Sequence, residues 1–393
     1  LPHDVLAYAL RSRSWHYLDI DQIQNIDATK KRNESGFEEL VMNEKHKELV
    51  LALVESHHSE SRAITAETNP DISMDLVQGK GKGLIILLHG VPGVGKTSTA
   101  ETVAAYTQKP LYPITCGDVG EKAIEVEANL ERHFQLAHKW GCVLLLDEAD
   151  VFLAKRDNKD VKRNAIVSVF LRTLEWYSGI LFLTTNRVGV IDEAFRSRIQ
   201  IQLYYPNLDK ASTLRIWENS LKMIQRKNEN LEVKIGFNRK EILDYSAQHF
   251  DENKLEGSNE RSITSWNGRQ IRNAFQTAIA LAQYDRLRNI KNAIIDEHLT
   301  EEEARKKYKT ATLKQTHFSH VAALNKEYYD YVRLTNQGLN DDEVAGQEGT
   351  RAPSTPMSTP SAGIRKLRQQ RLASPSAQGR RFKQSVSGDI DAE

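Results

Sequence analysis

A short apolar run that leads straight into a glycine-rich turn constrains this chain more than any other stretch. Residues 83–89, GLIILLH, are typical of a strand that is covered on both faces of a parallel sheet. Residues 90–97, GVPGVGKT, match the pattern G-x-x-x-x-G-K-[ST], and a helical sequence begins near Lys96. Glycines here let backbone N–H groups curl around phosphate oxygens, and the helix N-terminus adds positive charge. The order of strand, turn and helix therefore predicts a phosphate-binding loop.

The residue types within this loop predict separate roles around a nucleoside triphosphate. Lys96 can reach the β- and γ-phosphates, and the Thr97 hydroxyl is suited to ligate Mg²⁺. The predicted nucleotide contacts in the loop are Gly90, Val91, Pro92, Gly93, Val94, Gly95, Lys96, Thr97 and Ser98.

Two carboxylates follow a second apolar run. Residues 143–146 are Val-Leu-Leu-Leu, and Asp147 and Glu148 come directly after them. A buried strand with this ending brings both acids to the edge of the sheet beside the phosphate loop. Asp147 is suited to bind Mg²⁺, and Glu148 to polarise a water for in-line attack on the γ-phosphate. Many strands end in acids, so the motif is specific only because the loop precedes it.

A third apolar run, residues 179–183, ends in Thr-Thr-Asn186. An asparagine at this edge can hold the attacking water or a γ-phosphate oxygen, and a strand-end amide that caps a turn is the alternative. Guanine-specific proteins usually carry an Asn-Lys-x-Asp signature, which Asn186-Arg-Val-Gly does not fit. The sequence therefore favours adenine, and ATP with Mg²⁺ are the predicted cofactors.

Strand-like and helical segments alternate over the first half of the chain. Predicted helices at 121–140 and 162–177 separate some of the strands, and the sequence becomes mostly helical after Pro206, with segments at 214–224, 240–249, 268–282 and 318–332. The predicted strands are 83–89, 111–116, 142–146, 179–183 and 199–205. This alternation predicts an α/β fold of the P-loop NTPase type, a five-stranded parallel sheet flanked by helices and followed by a small helical lid.

Composition divides the chain into four predicted parts. Residues 1–34 form an N-terminal arm of a truncated upstream region, because the sequence begins with Leu. Residues 35–206 form the large α/β domain with its core from about residue 75, and residues 207–335 form the lid. Residues 336–393 form a basic tail with Ser and Pro, predicted to be disordered because it has little apolar content. Both a merely solvated tail and a phosphorylatable, anion-binding or nuclear-import tail remain open.

Two local predictions concern the arm and the segment after it. Trp15, Tyr17, Leu18 and Ile20 predict either one short strand or a packed extended arm. Residues 37–56 predict a single helix.

Charge and cysteine content narrow the class of protein further. The formal net charge of the 393 residues is +1, which argues against a nucleic-acid partner, and no long apolar run predicts a membrane span. Cys116 and Cys142 lack metal-type spacing and fall at opposite ends of neighbouring predicted strands. We therefore expect two reduced thiols and an intracellular setting, in the cytoplasm or the nucleus.

Five motifs in a fixed order resemble the AAA+ ATPases, and within them the AAA family. They are GVPGVGKT, LLLDE, TTN, AFRSR and the lid segment Asn267-Gly-Arg269-Gln, and the resemblance extends over residues 37–332. The segments LLLDEADVFL and TTNR are most similar to those of fungal AAA-type ATPases. The resemblance implies a Mg²⁺-dependent ATPase that acts as a homo-oligomeric ring, expected to be a hexamer.

The resemblance also implies roles for several arginines. Arg198 looks like the arginine finger that reaches the γ-phosphate bound by the next subunit, with Arg196 as the second candidate and a surface pair as the plain alternative. Arg269 looks like the sensor-2 arginine that couples the lid to the phosphates, with Arg272 as a substitute. Arg156 either organises the face toward a neighbouring subunit or forms an ordinary ion pair. The implied catalytic set is Glu148, Asn186, Arg198 and Lys96.

One loop departs from the pattern of the family. Many protein-threading members carry an aromatic residue after the second strand of the sheet, whereas residues 116–124 contain none. Either Ile124 grips the substrate or the ring does not thread polypeptide. Three functions therefore stay open: remodelling of a macromolecule, expected to be a protein; loading or movement of nucleic acid; and an ATP-gated scaffold with little turnover.

Overall fold

The structure is a computed structural model. It describes residues 3–23, 36–63, 82–156, 160–187, 191–253 and 266–336. The predicted tail lies outside the described residues, apart from its first residue. None of the helices in these ranges combines the length and the apolar character needed to cross a membrane.

The N-terminal segment forms an antiparallel hairpin of β1 (Asp4–Ala9) and β2 (Ser14–Asp19). A strand is therefore present where one was predicted, but its partner was not foreseen. Trp15 and Tyr17 are 59% and 75% exposed, so the alternative of a packed arm is wrong for them. The hairpin contacts the rest of the molecule through an Arg13–Asp118 ion pair and through Tyr8, whose ring lies 4.9 Å from that of Trp140.

The single helix predicted at 37–56 is wrong, because the segment is interrupted. A helical turn at 36–39 is followed by non-helical residues, and the long helix α1 (Glu44–Ala63) begins after them. Asn43 accounts for the new start. Its side-chain oxygen accepts a hydrogen bond from the Lys45 amide, and its carbonyl accepts bonds from the amides of His46 and Lys47. An asparagine in this position satisfies amide groups that a helix N-terminus leaves unpaired.

Five parallel strands form the central sheet. They are β3 (Leu84–Gly90), β4 (Leu111–Thr115), β5 (Val143–Asp147), β6 (Ile180–Thr185) and β7 (Ile201–Tyr205). Their order across the sheet is β4–β5–β6–β3–β7. The register pairs Leu84 with Ile180 on one side of β3 and Ile86 with Ile201 on the other. The predicted five-stranded parallel sheet is therefore confirmed.

Strand β3 is buried on both faces because its side chains alternate between two cores. Ile85 and Leu87 pack in a cluster with α4 and α6, whereas Leu84, Ile86 and Leu88 pack with α1 and α2. Burying each of these side chains stabilises the fold by about 2 kcal/mol. The helices of this domain are α2 (Lys96–Tyr106), α3 (Cys116–Val119), α4 (Ala123–Lys139), α5 (Asp150–Leu153), α6 (Val161–Glu175) and α7 (Glu193–Arg196).

The helical lid follows β7 and packs around Trp217. Its elements are α8 (Lys210–Lys227), β8 (Ile235–Phe237), α9 (Arg239–Glu252), α10 (Gly268–Asp296), α11 (Glu301–Lys307), β9 (Ala311–Leu313) and α12 (Gln315–Thr335). The Trp217 ring stacks on Trp266 at 5.9 Å and contacts Phe275 and Phe318 at 5.0 and 4.9 Å. The four predicted lid helices are present and longer than expected, whereas α11 and the parallel pair of β8 with β9 were not predicted.

The two cysteines lie as expected at opposite ends of neighbouring strands. Cys116 follows β4 and Cys142 precedes β5, and both are free. Burial raises the pKa of each thiol to about 11, and the carboxylates of Asp150 and Glu148 add to the effect at Cys116. Both thiols are therefore protonated and weakly nucleophilic at neutral pH.

Candidate active site

The loop between β3 and α2 needs its glycines for two different reasons. Gly90, Gly93 and Gly95 have φ angles of 142°, 78° and 103°, in the region that glycine adopts without strain. At Gly90 space is limiting as well, because a methyl group there would lie 2.1 Å from the carbonyl oxygen of Tyr205 in β7. The backbone geometry of the loop therefore depends on these positions.

Lys96 begins α2 and turns its side chain back along the loop. Its ammonium group donates hydrogen bonds to the carbonyl oxygens of Gly90 and Val91, at 3.0 and 2.7 Å. It also donates to Oδ1 of Asn186, at 2.8 Å. The lysine is only 7% exposed. A buried positive charge thus lies between the phosphate loop and the end of β6.

Asn186 lies where the sequence placed it, just beyond β6. Its amide oxygen accepts the proton of Lys96, so the side chain faces the loop. The amide of Arg187 donates instead to the Thr185 hydroxyl, which makes the local turn. Among the described residues, the Asn186 side chain therefore makes no hydrogen bond of the kind that its alternative role as a turn cap requires.

The second residue of α2 faces the acid at the end of β5. The Thr97 hydroxyl donates to both carboxylate oxygens of Asp147, at 3.2 and 3.3 Å. Hydroxyl and carboxylate oxygens are the ligands that Mg²⁺ prefers, and Mg²⁺ commonly uses one or two carboxylates together with phosphate oxygens. The residues present therefore fit a nucleotide-bound Mg²⁺.

Glu148 has a left-handed backbone conformation, with a φ of 54°. Such a conformation is costly for a residue with a side chain and is concentrated at functional sites. The Glu148 amide donates to the Thr184 hydroxyl at 3.0 Å, and the thiol of Cys116 donates to the Glu148 carbonyl at 2.9 Å. Its side chain is exposed at the carboxyl edge of the sheet, next to Asp147.

The lid contacts the loop directly through the N-terminus of α10. Asn267 is the N-cap, accepting from the Gln270 amide at 2.9 Å, while the Gln270 side chain accepts from the Asn267 amide at 2.7 Å. A methyl group on Gly93 would lie 2.5 Å from Cγ of Asn267 and one on Gly268 would lie 3.0 Å from the Gly93 carbonyl oxygen. Arg269 is exposed in the first turn of α10, next to this contact.

The contacts of Arg198 and Arg156 are with residues outside the phosphate loop. Arg198 donates to the Ala194 carbonyl at 2.9 Å and pairs with Glu175 at 3.4 Å, while Arg196 is exposed at the end of α7. Arg156 forms the ion pair that was one of its two predicted roles. It donates to both carboxylate oxygens of Asp192, at 2.8 and 3.2 Å, and these hydrogen bonds lower the pKa of the Asp192 carboxyl despite its burial.

Sequence reasoning missed three residues of this region. Thr184 bonds to both Asp147 and the Glu148 amide, and Asn267 joins the lid to the loop. Two signals pointed to Asn267: its place in the lid segment that resembles the family, and an Asn followed three positions later by Gln, which indicates a capping box. His89, just before the loop, stacks near Tyr204, and burial together with the charge of Lys96 lowers its pKa.

Two family models match adjoining stretches of the chain. Residues 86–207 match "ATPase family associated with various cellular activities (AAA)", and residues 208–338 match "Fungal AAA+ ATPase lid domain". The first covers the sheet with its loop, and the second covers the lid. The chain belongs to the AAA+ ATPases. The resemblance to fungal AAA-type ATPases that the sequence motifs indicate agrees with the match of the lid to the fungal lid model.

Relatives of this AAA+ chain match about a third of its length. Human "ATPase family AAA domain-containing protein 3B" is 32% identical over 134 residues, which is 32% of this chain and 21% of that protein. "Cell division control protein 48 homolog B" of Arabidopsis thaliana is 34% identical over 137 residues, 32% of this chain and 23% of that protein. The matched region thus spans about a fifth of the length of these relatives.

Among solved structures, the chain is similar to "Crystal structure of FIGL-1 AAA domain". The similarity covers 80% of this chain and 95% of that one, with 19% sequence identity and a TM-score of 0.47.

Proposed function

We propose that this AAA+ chain binds ATP with Mg²⁺ and hydrolyses it to ADP and phosphate. The observation that carries the proposal is the convergence of Lys96, Asn186 and the Thr97–Asp147 pair at the carboxyl edge of the sheet. Ligands of parallel α/β sheets bind at this edge. Membership of the AAA+ ATPases supports the same activity.

Lys96 and the loop amides bind the phosphates in this proposal. The carbonyl oxygens of Gly90 and Val91 and the amide oxygen of Asn186 now accept the protons of Lys96. Phosphate oxygens are stronger acceptors because they carry charge, so the ammonium exchanges some of these bonds for bonds to the β- and γ-phosphates. Thr97 and Asp147 would hold Mg²⁺, which supplies positive charge to the phosphate oxygens when it is bound.

Hydrolysis assigns different tasks to Glu148 and Asn186. The Glu148 carboxylate accepts a proton from water as the water oxygen attacks the γ-phosphorus, and the bond to the bridging oxygen of ADP breaks. Asn186 orients that water or holds a γ-phosphate oxygen. Two observations support these separate tasks. The carboxylate of Glu148 is exposed at the sheet edge, and Asn186 lies beside the buried Lys96.

The proposed ring places Arg198 at the site of the next subunit. Arg198 bonds to Ala194 and Glu175, and neither of these partners belongs to the phosphate loop of its own chain. A cation that is needed at the transition state and supplied only on assembly makes hydrolysis depend on the ring. Arg196 is the second candidate, and a hexamer is the assembly that we expect from the family.

The lid transmits the state of the nucleotide to the rest of the molecule in this proposal. Asn267 and Gly268 contact Gly93, so a movement of the loop displaces the start of α10. Arg269 in the same turn approaches the phosphates, with Arg272 as its substitute. Relative movement of lid and sheet then acts on a macromolecule, which we propose to be a protein.

Ile124 is the proposed contact with that substrate. It is 83% exposed at the start of α4, in the segment where many protein-threading members of the family carry an aromatic residue. The free thiols of Cys116 and Cys142 support an activity inside the cell, in the cytoplasm or the nucleus.

Replacement of Glu148 by Gln tests the hydrolytic assignment. The amide keeps the shape of the side chain but cannot accept the proton, so the variant should bind ATP like the parent and lose turnover. Hydrolysis at the parental rate would show that the base is wrongly assigned. The same variant, held in ATP, traps its substrate: a captured protein supports remodelling, whereas captured DNA or RNA would favour the loader function instead.

Mixing two inactive variants tests the shared site. Arg198→Ala leaves its own loop intact, and Lys96→Ala leaves its own arginine intact. A mixed ring should therefore recover part of the ATPase rate. If mixing recovers none over a range of ratios, Arg198 does not act on a neighbouring nucleotide.

A further inference from the structure

A single buried hydroxyl joins both acids at the end of β5. The Thr184 hydroxyl donates a hydrogen bond to Oδ1 of Asp147 and accepts one from the Glu148 amide at 3.0 Å. The Thr184 carbonyl accepts a further bond from the Ala149 amide at 2.9 Å. Thr184 is only 2% exposed. Its side chain thus bonds to the proposed Mg²⁺ ligand and to the backbone of the proposed base.

The register of the sheet places the hydroxyl at this point. Leu146 of β5 pairs with Leu183 of β6, so the next residues along the two strands, Asp147 and Thr184, lie side by side. Thr185 serves a different partner, because its hydroxyl bonds to the Asp150 carboxylate. The two threonines of the Thr-Thr-Asn segment therefore have separate contacts.

The peptide groups on the two sides of Glu148 are both held by side chains. Thr184 accepts from its N–H group, and the Cys116 thiol donates to its C=O group at 2.9 Å. Glu148 needs such support because its φ of 54° is unfavourable for a residue with a side chain. Without the two contacts the backbone can relax, and the carboxylate moves with it.

We propose that Thr184 and Cys116 are positioning residues for ATP hydrolysis, fixing the Glu148 backbone so that its carboxylate meets the attacking water. The inference rests on the proposed function. Neither side chain touches the nucleotide in this account, so we expect both to act on turnover and to leave the Kd for ATP without Mg²⁺ unchanged. The bond of Thr184 to Asp147 also bears on the affinity for Mg²⁺. Small displacements of a reacting group cost as much as about 100-fold in rate.

Replacement of Thr184 by Val, with Ser as the matched control, tests the inference in the full chain. Val keeps the shape of Thr and removes the hydroxyl, whereas Ser keeps the hydroxyl. At saturating Mg²⁺ we expect kcat to fall about 10- to 100-fold in Thr184→Val, with the Kd for ATP measured without Mg²⁺ unchanged, and Thr184→Ser to retain most of the parental kcat. Parental kcat in a folded Thr184→Val would overturn the proposal. Recovery of the parental rate at raised Mg²⁺ concentration would also overturn it, because the effect would then lie at Asp147 and not at Glu148.

Cys116 gives an independent test should Thr184→Val fail to fold. The thiol is partly exposed at the edge of the core, so Cys116→Ala removes little buried volume, and Cys116→Ser restores a donor. A lower kcat in Cys116→Ala that recovers in Cys116→Ser supports the proposal, and equal rates in the two variants contradict it.

Combination with Glu148→Gln separates the inference from the proposed function. If Thr184 acts through Glu148, the double variant loses less activity than the product of the two single losses. If Glu148→Gln is inactive while Thr184→Val and Cys116→Ala both turn over like the parent, only the positioning role fails. If Glu148→Gln retains the parental rate, the hydrolytic assignment fails first.

Discussion

Replacing Asn267 with Ala removes a side chain that has two contacts at the start of α10. Its oxygen caps the helix by accepting from the Gln270 amide at 2.9 Å, and the same side chain lies against Gly93 of the phosphate loop. The first contact belongs to the lid alone, and the second joins the lid to the nucleotide site. The variant should therefore affect both stability and ATP binding.

The size of each effect follows from the contacts. Loss of an Asn cap costs about 1 kcal/mol of helix stability. If the docking of α10 on the loop weakens by the same amount, the Kd for ATP rises about fivefold. Thr300→Ala is the matched control because Thr300 also begins a capping box, with Glu303, but caps α11. It should cost similar stability and leave the Kd unchanged.

Urea unfolding and titration with a fluorescent ATP analogue measure the two effects separately. We expect both variants to unfold at lower urea concentrations than the parent, and only Asn267→Ala to bind the nucleotide more weakly. Equal Kd values for the two variants would refute the idea that α10 senses the loop through Asn267. Weaker binding in Thr300→Ala as well would attribute the effect to general loosening of the lid.

Two further predictions concern Gly90 and Asp192. Gly90→Ala should destabilise the chain by about 4 kcal/mol in urea unfolding, because the methyl group meets the Tyr205 carbonyl at 2.1 Å at a φ of 142°. Gly95→Ala has a φ of 103° but nothing within 4 Å, so it should cost only the backbone strain, about 2 kcal/mol. Equal losses would contradict the clash. Asp192→Asn keeps the cap of α7 but removes the charge that Arg156 stabilises. Because the folded pKa of Asp192 is lowered, its contribution is complete above the unfolded value of about 4 and is lost as pH falls through the folded value. The urea midpoints of parent and variant should therefore differ by a constant amount from pH 8 to 5 and converge only at lower pH, and a gap that narrows near neutral pH would refute this assignment.

The sheet could be predicted because its strands are short apolar runs bounded by polar residues. Leu84–Gly90 and Val143–Asp147 are buried on both faces, so each appears in the sequence as a continuous run. The pair Ile235–Phe237 and Ala311–Leu313 could not be found in this way. Each has only three residues, and their pairing depends on the lid helices that bring them together.

The site was predictable where one motif supplies its own geometry. The loop around Lys96 follows from a local pattern, and Asp147 and Asn186 follow from the rule that strand ends meet at one edge. Thr184 and Asn267 were missed because their roles depend on strand register and on how the lid packs, which no local pattern encodes. In the proposed ring, the placement of Arg198 relative to a nucleotide depends on a second copy of the chain.

The central claim is tested most directly by calorimetry of ATP binding in the presence of Mg²⁺. The two proteins to compare are Glu148→Gln and the double variant Glu148→Gln/Lys96→Ala. If the triphosphate binds on the loop between β3 and α2, Glu148→Gln binds ATP and the loss of the Lys96 charge weakens binding by about 100-fold. Equal affinity with and without Lys96 would contradict the claim that the nucleotide binds there.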